Sequence, residues 1–187
     1  MTNLNDVDWT KLPEPIDDGA ADHLPGRRVP AVMLASTVGE EVDLSSLSGT
    51  TVVYVYPMTG RPGLALPAGW DAIPGARGCT PQSCAFRDHF KELKRLGVDH
   101  LFGLSTQTTE YQREAAERMH LPFPLLSDSQ LELQRSLGLP AFVVDGMTLL
   151  KRVTVIIRNG EVRKAFYPVF PPDRNAEEVV CWLRSAH

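Results

Sequence analysis

Hydrophobic and polar positions follow two different periods along the chain. Thr50 to Tyr56 reads TTVVYVY, a β-branched and aromatic run with no charged residue, and it predicts a central strand buried on both faces. From Arg28 to Ser48, Val32 and Leu34 precede a turn at Gly39, and Val42 and Leu44 follow it; these predict two small strands. After Tyr56 the pattern lapses. Pro57 to Gly78 holds four prolines and five glycines in 22 residues, a long loop of the kind that carries function. At Cys79 a helical spacing begins, with Phe86, Phe90, Leu93 and Leu96 on one stripe and Gly97 as the stop. A strand over Val98 to Ser105, a helix over Thr109 to His120, a short strand over Phe123 to Leu126 and a helix over Ser129 to Leu137, closed by Gly138, follow. RVTVIIR from Arg152 to Arg158, the dipeptide Asn159-Gly160 and Glu161 to Tyr167 predict a hairpin, because Asn-Gly suits the positive dihedrals of a tight turn. Asn175 is expected to cap a last helix running to about Ser185. Strands alternating with helices predict an α/β fold in which one mixed sheet is flanked by helices.

The chain has 187 residues, enough for one domain with a core that needs no metal or disulfide staple. Residues 1–27, with Asp6, Asp8, Asp17, Asp18 and Asp22, read as an arm lying on a single domain that spans 28–187. Nineteen basic against 23 acidic residues give a net charge of −4, which removes the usual reason to expect a nucleic-acid partner. No apolar run approaches the roughly 20 residues of a membrane span. The polar, acidic stretch Met1 to Pro30 has no apolar core of a secretory signal. Three cysteines do not make a disulfide framework, and a reducing cytoplasm is the expected location.

The segment Gly75 to Asp88, GARGCTPQSCAFRD, carries the candidate chemistry. Cys79 stands where a Gly/Pro loop enters a helix, beside the unpaired N–H groups of the first turn, an environment that favours the nucleophilic thiolate. Arg77 is placed to add positive charge. Cys84 lies five residues on; five helical steps turn by about 140° and rise about 7.5 Å, separating the Cα atoms by roughly 8 to 9 Å. A disulfide needs them within about 7 Å. Either the two thiols never meet, or the first turns of the helix unwind to let them. Two buried structural cysteines are the competing reading. A zinc site lacks ligands, since Cys181 is far away on the last helix, where its apolar neighbours Val180 and Leu183 predict packing. No metal and no other cofactor is expected.

The order YVYP, GCTPQSC with AFRD, LFGLST, FPLLSD and KRVTVII resembles the peroxiredoxins. It is most similar to the bacterioferritin comigratory protein and peroxiredoxin Q branch, over about residues 28 to 185. The resemblance implies a thioredoxin-like fold and a thiol-dependent peroxidase that reduces hydrogen peroxide or alkyl hydroperoxides. It makes Cys79 the peroxidatic cysteine, oxidised to a sulfenic acid, and Cys84 the resolving cysteine that condenses with it. Thioredoxin or glutaredoxin would then reduce the disulfide. The family's active-site arginine falls on Arg152, and Gln82 takes the position of a Glu or Gln that steadies it. The resemblance also implies a monomer or weak homodimer.

The chain departs from that pattern where the family has a proline seven residues and a threonine three residues before the first cysteine; here Ala72 and Ala76 stand there. Pro57 lies 22 residues before Cys79, which implies an insertion of about 15 residues, near 58–75, long for a compact domain. Thr59 or Thr80 is the candidate to hold the bound peroxide in place of the missing threonine. Trp70, Leu64 and Leu66 in the insertion either line a pocket for an organic tail, cover a subunit contact, or pack under their own loop. His89 lies in the reactive helix with no demand for it as a base, and His23, His100, His120 and His187 read as surface or structural. A second class of function fits the same cysteine pair: a redox-sensing or binding module switched by a Cys79-Cys84 disulfide. A general disulfide reductase fits less well, since that chemistry uses CxxC.

Overall fold

The computed structural model describes residues 7–186; Asp6 and His187 lie outside the described residues. Strand β3 (Thr50–Val55) is buried along its whole length. Val52 and Tyr54 face one apolar cluster, while Val53 and Val55 face another, as the two-residue period of a central strand requires. β3 pairs in parallel with β4 (Val98–Ser105) and antiparallel with β8 (Val153–Arg158). With β1 (Met33–Ser36), β2 (Glu41–Asp43), β5 (Leu125–Ser127) and β9 (Glu161–Phe166), they form a mixed sheet of order β2-β1-β5-β4-β3-β8-β9. The parallel steps require crossovers. Helices α1 (Cys79–Asp88) and α2 (Phe90–Arg95) make the first, and α3 (Thr109–Arg118) the second. α1, α2 and α5 (Asn175–Ser185) cover the Val52/Tyr54 face. α4 (Glu132–Leu137) and the arm residues Ala21 and Leu24 cover the other. The predicted mixed sheet flanked by helices is the fold observed.

Several boundaries differ from the periodic reading, each for a local reason. The single helix expected from Cys79 to Leu96 breaks at His89 (φ −90°, ψ 2°). There the ring Nδ1 lies 3.0 Å from the Ala85 carbonyl, the acceptor that the His89 backbone N–H also uses. β5 starts two residues late because Pro122 and Pro124 have no N–H for the ladder. α4 starts at Glu132 rather than Ser129, where the Asp128 carboxylate takes the N–H groups of Leu133 and Gln134 at 3.0 and 2.8 Å. A hairpin that the periodic reading left out, β6 (Ala141–Val144) with β7 (Met147–Leu150), turns at Asp145-Gly146 with φ 48° and 73°. Asp-Gly is as good a turn signal as Asn-Gly.

Two side chains sit otherwise than the sequence predicts. Asn175 does not cap α5; it is the first helical residue, after a 3-10 turn over Pro172–Arg174, and its amide is fully buried. Cys181 does not pack inside α5 but is exposed. The arm reaches across the loop that precedes α1. Trp9 stacks edge-on against Phe170 with centroids 6.0 Å apart and donates Nε1–H to Asp173 at 3.0 Å. Asp18 accepts from Lys151 at 2.6 Å and from Tyr167 at 2.7 Å.

Candidate active site

The loop after β3 returns to the sheet at Gly78, which takes φ 108° and starts α1 without a side-chain cap. No L side chain fits there comfortably: a Cβ would stand 2.7 Å from the Trp9 ring and 2.8 Å from Pro172. Cys79 is therefore the first helical residue, with Pro81, which has no N–H, in the same turn. Cys79 is 3% exposed, and its sulfur lies 3.7 Å from the Ala76 carbonyl and 3.2 Å from Arg152 Nη2.

Arg152 stands one residue before Val153, which faces Val55 across the β3-β8 ladder, so the sheet register brings it to the strand end where the Cys79 loop emerges. Its side chain is buried. Nη2 meets the carbonyls of Gly75, Ala76 and Arg77 at 3.3, 3.3 and 3.2 Å as well as the sulfur. Two N–H groups serve four acceptors, so the bonds are shared and the sulfur competes with neutral carbonyls; an anionic sulfur wins that competition. Nη1 donates to Gln82 Oε1. Gln82 Nε2 donates to Asn175 Oδ1 at 3.0 Å, which also accepts from Thr154 Oγ1 at 2.6 Å. Cys79, Gln82 and Arg152 thus converge on one point.

The remaining candidates are distributed around it. Cys84 is half-buried on the second turn of the intact helix, and all three cysteines are free. Burial pushes the Cys84 thiol above its ordinary range, with Arg87 pulling back. Thr80 lines the cleft beside Cys79. Thr59 is fully buried and its hydroxyl lies 3.4 Å from Gln107 Oε1, which also accepts the Thr59 N–H at 3.1 Å; that hydroxyl is engaged by Gln107 and has no hydrogen bond to the sulfur. Arg77 is not a free charge at the sulfur, because Asp71 holds it at 2.6 Å. His89 is bound to its own helix, and His23 Nε2 lies 3.1 Å from the Leu137 carbonyl at the end of α4. Trp70 is buried against Phe142, Val144 and Leu149 of the β6-β7 hairpin, whereas Leu64 is exposed. Val7, Met58, Leu66, Trp70 and Thr80 surround Cys79 in a cleft of about 40 Å³, room for a molecule the size of a peroxide group. Thr154 and Asn175 escaped the sequence reading. A lone Thr in a strand and an Asn at a helix start carry ordinary explanations, and only the fold sets them beside Gln82.

Fold and site define a thiol enzyme of thioredoxin-like architecture. The family described as Redoxin matches residues 24–180. Among curated proteins, the chain is 30% identical over 161 residues to the chloroplastic peroxiredoxin Q of Suaeda salsa, covering 86% of this chain and 67% of that one. It is 31% identical over 162 residues to that of Sedum lineare, covering 86% and 77%. The crystal structure of peroxidoxin BcpB from Mycobacterium tuberculosis superposes with a TM-score of 0.71 at 26% identity, over 88% of this chain and 99% of that one. A peroxiredoxin Q structure from Xylella fastidiosa, at 18% identity and TM-score 0.69, over 88% and 98%, shares the fold. The chain belongs to the redoxin family, in its peroxiredoxin Q and bacterioferritin comigratory branch, and is a peroxiredoxin enzyme with thiol peroxidase chemistry.

Proposed function

We propose that Cys79 is the peroxidatic and Cys84 the resolving cysteine of a peroxidase that acts on hydrogen peroxide or small alkyl hydroperoxides and is recycled by thioredoxin or a similar dithiol such as glutaredoxin. The observation that carries this reading is the Arg152 guanidinium 3.2 Å from a sulfur at the first position of a helix. The thiolate attacks one peroxide oxygen; an S–O bond forms as the O–O bond breaks, and the departing oxygen leaves as hydroxide or alkoxide and takes a proton from solvent. Arg152 and the uncapped N–H groups of the first turn stabilise the charge on both sulfur and departing oxygen. The Cys84 sulfur then attacks the sulfenic sulfur, expelling water and forming the disulfide. In the intact helix the two Cα atoms are roughly 8 to 9 Å apart, so residues 79–84 unwind before the bond closes. Thr80 is the better candidate to contact the peroxide, since Gln107 engages Thr59. A reducing compartment such as the cytoplasm would keep the dithiol donor reduced, and a monomer or weak homodimer suffices, because both cysteines lie on one helix.

One equivalent of peroxide is expected to remove two of the three free thiols, and mixing with thioredoxin, its reductase and NADPH to give sustained turnover. Cys79→Ser abolishes both; Cys84→Ser stops turnover after one sulfenic acid per chain. Peroxide consumption by the Cys79→Ser protein would overturn the assignment, and a single slow reaction without recycling would favour the sensor.

A further inference from the structure

The hydrogen bonds around Arg152 continue beyond Gln82. Asn175 Oδ1 accepts from Gln82 Nε2 at 3.0 Å and from Thr154 Oγ1 at 2.6 Å, and Asn175 Nδ2 donates to Glu178 Oε2 at 3.4 Å. Gln82, Thr154 and Asn175 are all fully buried. A side-chain amide fits its space either way round, but only one way suits Arg152: a guanidinium has donors alone and needs the amide oxygen facing it. Gln82 can turn its oxygen to Arg152 only where something accepts from its NH2 on the far side. Asn175 Oδ1 is that acceptor. The Glu178 carboxylate, which can only accept, fixes which way Asn175 itself is seated.

Resting on the reading that Cys79 reacts with peroxide, we infer that Asn175 is a positioning residue for that reaction. With Thr154 and Glu178, it sets the sense of the Gln82 amide and so holds the Arg152 guanidinium at the sulfur. The relay also ties α1 to α5. Gln82 lies between the two cysteines, so the unwinding that lets them meet must break its bond to Asn175. Asn175 therefore assists oxidation of Cys79 and resists closure of the disulfide, and its loss moves the two steps in opposite directions.

Stopped-flow mixing of reduced protein with hydrogen peroxide, with acid quench and mass analysis of the thiols, separates the two steps. Asn175→Leu keeps the volume and removes the acceptor, leaving a buried amide donor unpaired; oxidation is expected to slow about tenfold while closure quickens. Thr154→Val should slow oxidation about threefold, with Thr154→Ser restoring it. In an Arg152→Met background there is no guanidinium left to position, and adding Asn175→Leu should change the oxidation rate less than about twofold. An undiminished loss in that background, or a parallel fall of both steps, overturns the role. Should Asn175→Leu fail to fold, the same cycle with Thr154→Val is judged by the same criterion. Failure of the unaltered protein to oxidise at Cys79 would instead remove the peroxidase reading, so the two failures are distinguishable.

Discussion

In the proposed reaction, the Arg152 guanidinium 3.2 Å from the Cys79 sulfur is the contact that stabilises the developing charge. Arg152 is the one cation that contacts Cys79 among the described residues, because Arg77 is held by Asp71. Arg152→Met is expected to lower the rate constant for peroxide by about a hundredfold or more, the scale of losing an oriented donor at a developing anion. Arg152→Lys should recover only part, since a point charge cannot hold Gln82 and the sulfur together. Stopped-flow oxidation of the single-site variants checks both. Cys84 supplies a pH test. Burial raises its thiol in the folded helix, whereas an unwound chain titrates at about 8.5. The folded turn keeps its proton where the unwound one loses it, so the stability of the turn is fully present below the unwound value and is lost as pH rises through the folded one. Disulfide closure should therefore accelerate with pH across the alkaline thiol range, by more thiolate and by easier unwinding alike. A closure rate flat from pH 7 to 9.5 would contradict this.

At the level of elements, α1 is the segment that the proposed disulfide closure would unwind, and its limits are only partly legible in the sequence. Helical spacing located its apolar stripe, with Phe86 stacked on Tyr54 at 4.5 Å. The break at His89, which makes α1 a ten-residue unit separate from α2, comes from a side chain reaching back to Ala85 and leaves no trace in the hydrophobic period. The other end is set by Gly78. Gly78→Ala places a Cβ against Trp9 and Pro172 on a left-handed backbone. It is expected to cost about 1–3 kcal/mol in urea unfolding and to shift the fluorescence of Trp9. The long loop after β3 is legible in its prolines and glycines. Its packing was not: Trp70 finds Phe142 on a hairpin remote in sequence, and Thr59 is claimed by Gln107, 48 residues away.

Across the whole molecule, the arm and the sheet together shield the site. Trp9 closes over Gly78 and is tied to Asp173, and Asp18 is tied to Lys151 and Tyr167. Trp9→Ala should loosen this cover and raise the rate of Cys79 alkylation by iodoacetamide severalfold, with little change in the thermal midpoint if the arm opens locally. Much of this protein is written in local order along the chain. Runs of β-branched residues, glycine stops and a cysteine at a loop-to-helix junction depend on neighbours within a few residues, so they determined the α/β layout, the strand that is buried on both faces, and the candidate thiols. What the tertiary structure alone decided is which polar groups meet: Arg152 at the sulfur, Asn175 and Thr154 behind Gln82, Gln107 on Thr59. Those contacts join segments from 21 to 93 residues apart, and a hydrogen bond depends on angles and distances that only the packed sheet and helices impose.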